Sequence, residues 1–119
     1  MMLSGGRRGA SIHQLMQTLD ARFMIYRRDL KTGDLILVRT CNSHYTIRVS
    51  GPDRYDVSGG WFDRKGVAPL GVTIAGCTWG GSVIKVDVVA ACGLCIEFGN
   101  RVRTSMVQSV AIVPHALNN

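Results

Sequence analysis

With 119 residues, 46% of them hydrophobic and 18% charged, the chain has the composition of a single globular domain and falls outside the low-hydrophobicity, high-charge regime of disorder. Fourteen Lys and Arg against eight Asp and Glu leave a net charge of +6, which favours anionic partners such as nucleic acid, although most basic residues are spread singly. No apolar stretch has the length of a signal peptide or a membrane span, so the expected setting is cytoplasmic, with Cys41, Cys77, Cys92 and Cys95 as reduced thiols.

Residues 1–10 are small, polar and basic and read as a flexible segment. Ser11 and Gln14 form a capping-box signature, and Ile12, Leu15, Met16, Leu19 and Phe23 follow at helical spacing, which predicts an amphipathic helix from 12 to about 23. Its polar side carries little Lys or Arg, so its apolar side suits packing on the domain or on a second subunit better than lying on a membrane. After Gly33 the period changes from 3.6 to 2. Leu35 to Val38 is a continuous apolar run suited to a central strand; Tyr45, Ile47 and Val49 alternate with polar residues, with Cys41 and Asn42 at the reversal between. Gly51-Pro52-Asp53 marks a turn, Tyr55 to Val57 a strand, and Gly59-Gly60 its end. Trp61 to Pro69 reads as a surface loop.

Leu70, Val72 and Ile74 resume the alternation, Trp79-Gly80-Gly81 reverses the chain, and Ile84, Val86 and Val88 carry an inward face onward. The last hairpin can be read to its register. A two-residue turn at Gly99-Asn100 would set Arg101 and Arg103 on the side of Ile96 and Phe98; a loop one residue longer sets Phe98 beside Val102, Ile96 beside Thr104, and Glu97 against Arg103. The longer loop is therefore expected, even though it brings Arg101 to a position that often needs a left-handed backbone. Met106, Val107, Val110 and Ile112 complete the sheet, and Pro114 begins a tail over 114–119. The expected fold is an all-β, small antiparallel β-barrel over residues 11–113 with one N-terminal helix, closure being the simplest way to remove apolar edge strands.

Candidate sites are few. Cys41 with His44 and Cys92 with Cys95 have spacings that would supply four soft ligands to zinc, although buried inert thiols explain them more simply. A nucleophile needs a base, and of three histidines only His44, with Asp53 or Asp56, sits in the strand region, so no catalysis and no cofactor are expected. Gly76 to Ser82 would nest an anion, but lacks a following helix and reads as a tight hairpin with Trp79 covering one end of the barrel.

Arg27-Arg28 together with Asp56-Val57-Ser58-Gly59-Gly60 resembles the PilZ family, barrels that bind cyclic di-GMP; the resemblance implies arginines that clamp phosphates and stack on a base. Gly33 to Val38 with Thr40, Asn42-Ser43, Tyr45 to Ile47, Gly59-Gly60, Thr78 with Gly80 to Ser82, Gly93-Leu94, Glu97-Phe98, and Thr104-Ser105 with Val107 resemble a small family of bacterial β-rich proteins without an assigned activity. That second resemblance, across residues 30–113, implies a fold and no function. The reading that follows is a non-catalytic binding or assembly module. Either it takes an anionic ligand or nucleic acid through Arg27, Arg28, Arg39, Arg48, Lys85, Arg101 and Arg103, or it forms a homo-oligomer through the N-terminal helix.

Overall fold

The computed structural model describes residues 20–79 and 83–118. Eleven strands occur in these residues: β1 Asp20–Arg22, β2 Met24–Tyr26, β3 Leu35–Thr40, β4 His44–Gly51, β5 Arg54–Gly59, β6 Leu70–Val72, β7 Ile74–Trp79, β8 Val83–Lys85, β9 Val88–Ala91, β10 Cys95–Phe98 and β11 Val107–Val113. A 3-10 turn covers Arg27–Asp29, and two short helices, α1 Gly60–Arg64 and α2 His115–Asn118, follow β5 and β11.

The all-β expectation holds, but the strands do not close into a barrel. They form three antiparallel sheets, in the orders β1-β11-β3-β4-β5-β6, β10-β7-β8 and β2-β9. Closure fails at Thr73. Up to Val72 the chain pairs with β5; from Ile74 onward it pairs with β10, so β6 is left as one edge of the large sheet and β1 as the other. The two smaller sheets contribute Ile25, Ile74, Cys77, Val88 to Ala91, Ile96 and Phe98 to the same core as Ile36, Val38, Ile47, Val57, Val110 and Ile112 of the large one. Apolar area is buried between the layers, while edges that closure would have removed, β1, β6 and β8, remain among the described strands.

Three other expectations change. Asp20–Arg22 is strand paired with β11, and Phe23 is 70% exposed, so the chain is not helical up to Phe23; residues 12–19 of the expected helix lie outside the described residues. The loop from Trp61 contains α1, whose Phe62 is fully buried, and whose Asp63 carboxylate accepts the Gly59 N–H at 2.9 Å and so secures the helix start. The tail is anchored: the Asp34 carboxylate accepts the Lys31 N–H at 2.9 Å with one oxygen and the His115 N–H at 3.2 Å with the other, tying the start of α2 to the start of β3.

The last hairpin follows its expected register. Phe98 N–H donates to Val102 O at 2.8 Å, Thr104 N–H to Ile96 O at 2.9 Å, and Glu97 bridges Arg103 with a salt bridge at 3.7 Å. Arg101 takes the left-handed φ of 70° that this loop length demands. With the loop 99–106 lying along it, β10 is a covered edge.

Candidate functional site

Arg27 organises one corner of the molecule. Its N–H donates to Asp87 O at 2.9 Å, its Nε donates to Val86 O at 3.1 Å, and its terminal nitrogens reach Val86 O and the Asp53 carboxylate, the latter at 2.6 Å. Asp53 sits at φ 52° in the β4–β5 turn, where aspartate is among the residues that tolerate a left-handed backbone. Tyr55 is buried beneath this pair. Burial pushes its hydroxyl pKa upward, and the Arg27 guanidinium partly opposes that rise. The guanidinium therefore ties the β4–β5 turn to the β8–β9 corner, and most of its donors are engaged by protein oxygens. Beside it lies a cleft of about 330 Å³ whose lining includes Arg27, Leu30, Lys31, Asp53 and Tyr55.

The other basic candidates lie elsewhere. Arg28 stacks on the Tyr26 ring, 4.4 Å from its centroid, and Arg103 pairs with Glu97. Arg39 and Arg48 stand on the outer face of the large sheet, opposite His44 and Asp56 respectively, and Arg48 donates to Gly33 O at 3.3 Å. Lys85 is on β8 and Arg101 at the tip of the last hairpin. The seven residues are thus distributed over several surfaces. Asp56 and Ser58 point away from the Arg27 cleft, because Tyr55 and Val57 between and beside them enter the core.

Among the described residues, no three His, Cys, Asp or Glu side chains converge as a metal site. Cys41 and Cys92 flank Gln108, whose side-chain amide donates to the Cys41 sulfur at 3.6 Å and whose carbonyl accepts from the Cys92 thiol at 3.5 Å. Cys95 lies on β10, paired with Thr78 and diagonal to Cys77, while His44 faces outward beside Arg39. Burial pushes the Cys77 thiol from its ordinary value near 9 up to about 12, with Cys95 adding to the rise. An unfolded chain ionises this thiol near pH 9 while the folded chain keeps it protonated. Its contribution to stability is therefore whole below pH 9 and is lost as the pH rises toward 12, on the order of 1 kcal/mol per pH unit. Urea unfolding at pH 8 and at successive steps above 9 should show a steeper decline for the wild type than for Cys77→Ala.

No family model matches the chain, and no curated protein or solved structure matches it. Function then has to be argued from surface chemistry.

One surface stands out by that measure. Eight large apolar side chains are exposed among the described residues, and four of them, Trp79 at 74%, Val83 at 67%, Ile84 and Val86, belong to the β7–β8 hairpin and the residue after β8. Trp79 covers no end of a barrel, and Ile84 and Val86 do not enter the core; both expectations yield to the position of β8 at the sheet's margin. Strand β8 pairs with β7 on one side, Trp79 opposite Val83 and Thr78 opposite Ile84, and no described strand pairs with its other side. Alternation in the sequence does not show that both faces of this strand lack cover. The signal available was the pair Val83 and Val86 on the supposed polar and apolar faces alike. Arg27 holds Val86 by its carbonyl, so the corner that presents this edge is fixed to the body of the domain.

Proposed function

We propose that the protein is a non-catalytic assembly module that self-associates by adding the β8 edge of one copy to that of a second. The observation that carries this reading is the apolar edge of β8, unpaired among the described strands, with Trp79, Val83, Ile84 and Val86 around it. Natural sheets protect such edges with charges, prolines, bulges or covering loops, as β10 is covered here, and an apolar edge left open is a template for another strand. A second copy fits the charge pattern. In an antiparallel two-fold pairing centred on Ile84, the single charge of the strand, Lys85, falls opposite Val83 and not opposite its own symmetry mate. All four cysteines are free, and no helix among the described residues is long and apolar enough to cross a membrane.

A second reading, an anionic ligand, is favoured by one observation: Arg27 and Lys31 line the same cleft, large enough for part of a nucleotide. Ionic strength separates the two. Sedimentation of the full chain should give a dimer that persists as salt is raised, whereas nucleotide or cyclic di-GMP binding through cations weakens with salt. The double variant Val83→Lys, Ile84→Lys, altered only at exposed positions, should sediment as a monomer with an unchanged far-ultraviolet spectrum. A wild-type chain that stays monomeric at every concentration overturns the assembly reading.

A further inference from the structure

We propose that the outer face of the six-stranded sheet is the seat of this chain's own segment 11–19, which covers Leu35, Leu37, Ala111 and Val113. The inference does not depend on β8. Strands β3 and β11 lie side by side, and both are apolar on both faces: Ile36, Val38, Val110 and Ile112 enter the main core, while Leu35, Leu37, Ala111 and Val113 form a second buried cluster on the opposite side. Strands that are apolar on both faces belong to sheets covered on both faces. The described sheets cover only one of them.

Leu37 shows why a cover is needed. It is fully buried, yet its neighbours across the sheet on that face are Thr46 on β4 and Ala111 on β11. A threonine and an alanine are too short to close over a leucine. Ala111 is itself fully buried beside the edge strand β1, where Ala21 is its partner. The long side chains of this face, Arg39 and Arg48, are themselves exposed, so an element laid across the row accounts for its burial.

The path of the chain supplies the occupant. In β1, Asp20 is opposite Ile112, one residue from Val113, and Val113 is opposite Leu35. The chain preceding Asp20 therefore meets the sheet at the end where the apolar cluster lies. That preceding segment contains Ile12, Leu15, Met16 and Leu19 at helical spacing behind the Ser11 cap. Eight residues of helix measure about 12 Å, while Leu35 to Leu37 extends about 7 Å along a strand and β3 and β11 are about 5 Å apart. An apolar stripe of this length spans the cluster, and it ends at the residue that joins β1. No other stretch outside the described residues has comparable apolar periodicity.

The test is methyl nuclear Overhauser spectroscopy on the full chain. Contacts from the Leu37 and Ala111 methyls to residues 12–19 are expected, at a strength independent of protein concentration. In a sample mixing labelled and unlabelled copies, these contacts should stay within one chain. Their absence overturns the proposal; so does finding them only between chains, which would make the cover a second copy. In the variant Leu15→Ser, Met16→Ser, the Leu37 and Ala111 methyl resonances should shift while those of Ile47 and Val57, on the other face, stay in place. Should that variant fail to fold, the wild-type contacts alone decide.

Discussion

Phe62→Ala is expected to lower the unfolding free energy by about 3–5 kcal/mol, a third or more of the stability of an ordinary domain. Phe62 has no exposed surface, although it belongs to a helix of five residues. Its ring meets Phe98 edge-on at 5.1 Å and Tyr45 at 6.3 Å, so one side chain of α1 wedges between the three-stranded and the six-stranded sheets. Truncation removes apolar contact from both layers and leaves a void that their hydrogen-bonded strands cannot collapse to fill. Trp61, its half-buried neighbour 5.2 Å away, provides the control: Trp61→Ala takes away area at the rim and should cost clearly less. Urea unfolding at neutral pH measures both. A loss below about 1 kcal/mol for Phe62→Ala would mean that α1 is not part of the core.

That residue also marks a boundary of what the sequence reveals. A five-residue helix with one inward position shows no periodicity, so Phe62 disappears into a segment that reads as loop, whereas the eight residues of β4 display their alternation openly and the apolar run of β3 marks a central strand. Register is legible where charge constrains it. Placing Arg101 and Arg103 away from Ile96 and Phe98 is enough to choose the loop length after β10, and the choice carries with it the Glu97–Arg103 pair. Sheet membership is not legible. Nothing in Val72-Thr73-Ile74 signals that the chain crosses from one sheet to another there, because side-chain alternation records burial and not the identity of the neighbouring strand. The same limitation hides the candidate site. Arg27 is conspicuous as a possible phosphate ligand, but its partners, the Val86 carbonyl 59 positions away and Asp53, are supplied by the tertiary fold. Ile84 and Val86 are apolar at alternate positions like core residues, and only the strand order shows that they stand on an open margin.

Gly59→Ala should cost several kcal/mol, because it combines two independent penalties. Gly59 has φ 97° at the junction of β5 and α1, a conformation that side chains with a Cβ rarely adopt, and strain of this kind costs about 1–3 kcal/mol. A Cβ there would also run into the His44 carbonyl oxygen and crowd the Tyr45 backbone across the β4–β5 ladder, where no flexible side chain can yield. Overpacking against fixed structure adds about 1–3 kcal/mol. Two other glycines separate these contributions. Gly93 has a φ of 87° but open space around the Cβ position, so Gly93→Ala should pay for conformation alone; Gly51 has neither a left-handed φ nor a neighbour within 4 Å, so Gly51→Ala should be close to neutral. Denaturant unfolding of the three variants should rank them Gly51, Gly93, Gly59 in increasing loss. If Gly59→Ala lost no more than Gly93→Ala, the close approach of β5 to the His44 backbone would not be a feature of the folded chain, and the packing of α1 and Phe62 that depends on that junction would fall with it.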